Sequence, residues 1–302
     1  MNTKLSASKI GLLIVLAMAT ASASLAAQDK PAFWHIKTLY AFTGNADGAQ
    51  PFGGVVLDPA GNVYGTTAFG GNGGGVVFKV DPRGHESLLH TFTGYPGDGA
   101  NPTEGVTRDS TGRLYGLTVN LLTLYELQPS ATVCAAVLCP WNESFLYNSE
   151  IGQVGSLPTG IPLPDGLGNF YATSNTGGSG TNCEVGCGFV FKVDPQGHET
   201  VIYNFQGGSD GAWPTGPMLL APDGSLYGTT VTGGGAGGCP NGGCGTVYKI
   251  DAYGNESVLY SFTGGNDGES PDTGVIADEK GNLYGTTPVG GPYMGNGCSG
   301  ES

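Results

Sequence analysis

The chain has 302 residues, with 25 acidic against 11 basic side chains and a net charge of −14. Its 56 glycines and 19 prolines make up about a quarter of the sequence. Glycine at that level excludes long helices, since each interior glycine costs roughly 1 kcal/mol relative to alanine, and so excludes helical bundles, Rossmann folds and TIM barrels. The acidic balance excludes nucleic acid as a partner, because phosphates need a basic face.

Residues 1–27 have the layout of a secretory signal peptide. Lys4 and Lys9 precede the apolar run Ile10 to Met18, and the small-residue stretch Ala21 to Ala27 offers a cut after Ala26 or Ala27. The apolar run is too short to cross a bilayer, which takes about 20 residues, and no cysteine sits at the cut to carry a lipid. Loss of Lys4 and Lys9 leaves nine basic against 25 acidic residues, a charge of −16. The expectation is a secreted, periplasmic or extracellular protein without membrane insertion, monomeric, with residues 28–302 as a single domain.

That domain is repetitive. The string Gly-Asn-Val-Tyr-Gly-Thr-Thr at Gly61 to Thr67 recurs with its tyrosine at Tyr115, Tyr171, Tyr227 and Tyr284, spaced 51, 56, 56 and 57 residues apart. Val-Phe-Lys-Val-Asp-Pro at Val77 to Pro82 returns at Val190 and Val247 and, degraded, at Leu124. Leu-Tyr-Ser-Phe-Thr-Gly at Leu259 to Gly264 matches Leu39, Leu89 and Ile202, with a worn copy at Leu146-Tyr147. In chain order the first complete unit predicts strands over 54–58, 62–67, 75–80 and 86–92, supported by alternation and by β-branched and aromatic residues. Asp58-Pro59-Ala60-Gly61 and Asp81-Pro82-Arg83-Gly84 predict the tight turns between them. Four-stranded sheets repeating at this period are the signature of propeller blades. The fold class is all-β, a β-propeller of about five blades. An outer strand is placed at 33–42, repeats near 53–92, 104–148, 160–205 and 217–262, and a partial repeat at 274–302.

That partial repeat supplies only two strands, and the N-terminal segment a third. By analogy with Cys239 and Cys244, Cys298 expects a partner just past Ser302. The expectation is a chain cut from a longer protein; the rival is a five-bladed ring with one three-stranded blade. The other cysteines form close pairs, Cys134 with Cys139, Cys183 with Cys187 and Cys239 with Cys244. Each pair lies in a loop, which fits local disulfides in an oxidising space. A zinc site would need four ligands together, and no histidine lies near these pairs in sequence.

The strings Leu259 to Gly268, Gly281 to Thr287 and Gly245 to Asp251 resemble the choice-of-anchor tandem repeat family, called GloVer repeats, of secreted bacterial proteins. The resemblance covers roughly Leu39 to Thr287. It implies export and, in longer members, a C-terminal surface anchor, and it implies no activity.

Candidate ligand-binding residues are the aspartates of the Asp-Gly connections between units, Asp47, Asp98, Asp210 and Asp267. A ring of such carboxylates would suit calcium, which takes six to eight oxygens, yet an Asx turn followed by glycine explains them without a metal. Trp213 stands where other units have Gln50, Asn101 and Ser270. An exposed indole beside acids would stack on a sugar or an apolar partner, whereas the plainer reading is a tryptophan covering a blade junction. The histidines are read as structural, because His35, His85 and His198 share one repeat position and His90 sits where other units have Tyr or Asn. The second unit breaks the symmetry most, with a swollen loop from Ser130 to Trp141 and a connection from Asn148 to Thr159 that lacks Asp-Gly.

No nucleophile elbow, zinc-protease helix or P-loop occurs. The sequence therefore points to a non-enzymatic binding or surface-interaction module with a glycan or protein partner and no cofactor. An extracellular polysaccharide hydrolase or lyase acting on the Asp-Gly face is the alternative.

Overall fold

The computed structural model describes residues 37–94, 98–119, 123–129, 141–148, 158–235, 239 and 242–291. The signal segment 1–27, residues 33–36 of the expected outer strand, Cys134, Cys139, Cys298 and most of the swollen loop lie outside them. Leu39–Ser302 is one compact unit.

Within the larger unit, four antiparallel meanders follow one another. They are β1 (Val56–Leu57) to β4 (Glu86–Thr91), with β2 at Val63–Thr67 and β3 at Val76–Val80; then β5 (Val106–Arg108), β6 (Leu114–Thr118), β7 (Thr123–Gln128) and β8 (Asn142–Asn148). The third holds β9 (Pro158–Pro164), β10 (Phe170–Ser174), β11 (Phe189–Val193) and β12 (Glu199–Asn204); the fourth holds β13 (Ala212–Leu220), β14 (Leu226–Thr232), β15 (Thr246–Ile250) and β16 (Glu256–Ser261). Each sheet pairs its strands in sequence order, and a fifth sheet has two strands among the described residues, β17 (Ile276–Ala277) and β18 (Leu283–Tyr284).

The turns form where the sequence places them, and for local reasons. Asp58 Oδ1 accepts from the backbone N–H of Ala60 and Asn62, while Oδ2 accepts from the Asn62 amide and the Tyr64 hydroxyl. The hydrogen bonds from Asn62 lead in holding the Asp58 carboxyl down to about 2. Asp81, Asp194, Asp251 and Asp278 fold their own turns around the same pair of backbone donors.

Cores lie between consecutive sheets rather than at one centre. Tyr64, Leu89 and Phe92 of the first sheet pack on Val106, Leu114 and Tyr125 of the second. Tyr115 and Leu124 pack on Phe170 and Phe191, and Phe205 on Met218 and Tyr248. First strands of neighbouring sheets meet on the inner side, where Thr107 donates to the Pro162 carbonyl and Thr159 to the Pro214 carbonyl. Sheets of this kind, joined face to face in chain order with their first strands innermost, are the blades of a β-propeller.

One detail recurs in all four complete blades. The ladder between third and fourth strands slips at Val77/Phe78, Leu124/Tyr125, Val190/Phe191 and Val247/Tyr248. The aromatic at the slip stands opposite a small residue on the second strand: Phe78 opposite Gly65, Tyr125 opposite Gly116, Phe191 opposite Ala172 and Tyr248 opposite Gly228. The small residue makes the room, since a Cβ at position 116 would lie 2.1 Å from Tyr125 Oη.

The expected outer strand at 33–42 is corrected in part. Residues 37–42 form no ladder among the described residues, yet Tyr40 and Phe42 pack on Val76, Phe78 and Val80 as an outer strand would. The missing ladder has a physical cause: the strand that residues 37–42 would pair with is absent from the described part of the fifth sheet.

Candidate functional site

The Asp-Gly connections lie beside the loops between second and third strands, as the bridge Ala49 to Phe69 shows. Their aspartates are heavily committed within the chain. Asp47 accepts from the backbone and hydroxyl of Thr43, the Asn45 N–H and the Tyr40 hydroxyl, and the Thr43 hydroxyl leads in lowering its carboxyl to about 2. Asp267 accepts from Tyr260 and twice from Thr263. Asp210 accepts from Tyr203 and from the Gln206 N–H. Asp98 accepts from Thr93 and faces His90 Nε2 at 2.9 Å. The structure does not bring the four aspartates into one cluster; each belongs to its own blade junction.

Each junction repeats one constellation that sequence reasoning missed. A tyrosine or histidine of one outer strand meets the glutamate that opens the next, joined by an Asp-Gly aspartate except at Tyr147, whose connection has none. Tyr40 donates to both Asp47 and Glu86, and Tyr147 donates to Glu199. Asp210 stands close enough to Glu256 to push its carboxyl up, after burial, to about 7. At the first-to-second junction the tyrosine is replaced by His90, whose Nε2 lies 2.9 Å from Asp98 Oδ1 and 3.4 Å from Glu143 Oε1. Burial and then the Asp98 charge raise Glu143 to about 8. The glutamates were legible as Glu-Ser or Glu-Thr at 86, 143, 199 and 256, five residues after the turn aspartate except at Glu143, where the swollen loop replaces that turn.

Trp213 fits the plainer of its two readings, a tryptophan covering a blade junction. Its indole is half-buried rather than exposed and packs on the core shared by the third and fourth blades. The backbone explains why: Trp213 has φ 60°, matching Gln50, Asn101 and Ser270, so the residue is held in the left-handed region and its N–H bonds to the Cys187 carbonyl. The indole Nε1 is buried with no partner among the described residues.

The pairs Cys183–Cys187 and Cys239–Cys244 form disulfides. Each clips its loop against the glycine before an Asp-Gly connection, Gly207 in one case and Gly264 in the other. Cys239 and Cys244 lie near Glu269, but the bonded sulfurs have no thiolate to offer a metal.

Two cavities stand out. One, of about 450 Å³, lies among the first strands and is lined by Val56, Val106, Arg108, Ile161, Leu163 and Met218. The other, of about 300 Å³, lies between the fourth blade and the fifth sheet, against Leu259, Tyr260, Phe262, Val275, Leu283 and Gly285. Around it the apolar surface is open, with Ile276 70% and Tyr284 54% exposed, where the equivalent Tyr64 and Tyr115 are buried. In complete blades the corresponding space holds the aromatic of the third strand: Phe42 meets Phe78, Phe92 meets Tyr125 and Phe205 meets Tyr248, each edge-on.

The sequence profile of the Gloeobacter/Verrucomicrobia repeat matches residues 123–298. No curated protein matches the chain. Solved structures similar to it include one provisionally assigned as a gluconolactonase, with 16% identity, TM-score 0.48, and coverage of 79% of this chain and 73% of that one. Another is a protein from Lactobacillus plantarum, with 13% identity, TM-score 0.38, and coverage of 80% and 68%.

Proposed function

We propose that the chain, which belongs to the Gloeobacter/Verrucomicrobia repeat family, is an exported, non-enzymatic interaction module that takes up an extended protein segment at its fifth sheet. The carrying observation is the cavity against Phe262 and Gly285. Phe262 follows Tyr260 as Phe92 follows His90 and Phe205 follows Tyr203. Gly285 holds the place that Gly116 and Gly228 hold opposite Tyr125 and Tyr248. A strand with one aromatic residue would pair with β18 through its backbone and seat its ring in the cavity, the mode of recognition that adds a strand to a sheet edge.

The half-buried Trp213 supports a protein partner over a glycan, since its ring is engaged in packing. The two disulfides are in keeping with an oxidising compartment.

A synthetic peptide with the sequence of residues 244–251, its cysteine replaced by serine, tests the reading by calorimetry. It is expected to bind in a one-to-one ratio, and its Tyr248→Ala version at least tenfold more weakly, about 1.4 kcal/mol. Equal binding of the two peptides, or none of either, would rule the reading out.

A further inference from the structure

The junction between the first two blades holds a mixed set of donor atoms that no other junction reproduces. His90 stands on β4, Asp98 in the connection that follows it and Glu143 on β8 of the next blade. Their ligand atoms all lie within 4.8 Å of one another, with edges of 2.9 Å from Nε2 to Asp98 and 3.4 Å from Nε2 to Glu143. Donors bound at about 2.0–2.2 Å around a tetrahedral zinc ion are roughly 3.3 Å apart, so these edges are near those of a coordination polyhedron. The three side chains are 15–18% exposed, open enough for an ion to enter.

A second observation points the same way. Tyr125 is fully buried at the same junction, its ring edge-on to Phe92 and its hydroxyl over Gly116 without a hydrogen-bond partner among the described residues. Glu143 Oε1 is likewise buried and short of a hydrogen-bond partner. The open hydroxyl recurs at Tyr248 and belongs to the repeated frame, whereas the open carboxylate oxygen of Glu143 faces the imidazole. A metal held by His90 Nε2 and the two carboxylates would give the Glu143 oxygen its partner.

We propose that His90, Asp98 and Glu143 form a zinc-class divalent site that staples the first blade to the second. One imidazole with two carboxylates suits zinc and its neighbours in the first transition row better than calcium, which takes oxygen ligands alone. The other junctions do not form this site, because a tyrosine hydroxyl there donates its proton to the carboxylates, as Tyr40 does to Asp47 and Glu86.

The repeat itself supplies the control. His90→Tyr restores the residue found at Tyr40, Tyr203 and Tyr260, so it should fold and hydrogen-bond to Asp98 as they do to their aspartates. Zinc is titrated into the oxidised, full-length protein, and cobalt is used as a spectroscopic probe. Wild type is expected to bind one equivalent that His90→Tyr and Glu143→Gln both lose, with a cobalt spectrum lacking thiolate charge transfer. The unfolding temperature should rise with zinc in wild type and stay fixed in both variants. If wild type binds no zinc, if either variant keeps the full stoichiometry, or if the cobalt spectrum shows thiolate ligation, the proposal is overturned.

Discussion

The junction between the first and second blades and that between the third and fourth share one frame and differ at the residue that faces the two carboxylates. His90 and Phe92 sit on Tyr125 with the geometry in which Tyr203 and Phe205 sit on Tyr248. Both junctions set an Asp-Gly aspartate beside the glutamate of the following outer strand. At the second of them the Tyr203 hydroxyl donates to Asp210 at 2.9 Å. At the first, one imidazole nitrogen faces two carboxylates. A phenol carries its own proton and closes the junction, whereas an imidazole can present a lone pair instead. One substitution on a repeated scaffold thus separates a structural contact from a ligand set.

If the frames are equivalent, removing their central ring should cost the same in both. Tyr125 and Tyr248 are each fully buried, so Tyr125→Ala and Tyr248→Ala are both expected to lose about 3–5 kcal/mol of stability in urea unfolding. A much smaller loss at Tyr125 alone would mean that the first junction is loosely packed, and the comparison would fail there.

A subtler change tests the partner of that ring. The third blade pairs Ala172 with Phe191 where the fourth pairs Gly228 with Tyr248. A Cβ at position 228 would lie 2.4 Å from Tyr248 Oη, so Gly228→Ala should cost about 1–3 kcal/mol through overpacking. Adding Tyr248→Phe removes the nearest clashing atom and recreates the third blade's pair, although the ring must still shift because its Cζ would lie 2.6 Å from the new Cβ. The double variant should therefore recover part of the loss, a coupling that unfolding of all four proteins in a mutant cycle measures. Simple additivity would show that the glycine is not there to admit the hydroxyl.

What the sequence made legible follows from what is local. The strand ends and turns fall where Asp58, Asp81, Asp194 and Asp251 bond backbone donors within four residues of themselves, and local chemistry is written in adjacent letters. The repeat period made the blades legible for the same reason. The junction was not, although Glu86, Glu143, Glu199 and Glu256 recur in register. Whether Glu143 meets His90 depends on how one sheet is set against the next, which no spacing within a repeat encodes. For Trp213 the plainer reading, a tryptophan covering a blade junction, fits its packing, while the left-handed backbone it shares with Gln50, Asn101 and Ser270 is not written in residue type. That backbone decides where the indole points.

The smallest expected effect concerns protons at the third-to-fourth junction. Burial, and then the Asp210 charge, raise the Glu256 carboxyl from 4.5 to about 7. Its Oε1, Asp210 Oδ1 and the Tyr248 hydroxyl are all buried without hydrogen-bond partners among the described residues, and the Tyr203 hydroxyl stands on the opposite side of Asp210. The folded state therefore holds a proton that the unfolded chain has released, so stability falls as pH rises through this window. Below 4.5 the group contributes no slope, and above 7 the loss is complete. Glu256→Gln keeps the neutral form at every pH and should flatten its share of that slope, leaving the rise in Glu143, to about 8, as background. Urea unfolding of both proteins between pH 4.5 and 7, with chelator present, reads the difference directly. Parallel curves would mean that Glu256 is ionised in the folded state, and the junction would then need a cation or a water to hold its two carboxylates together.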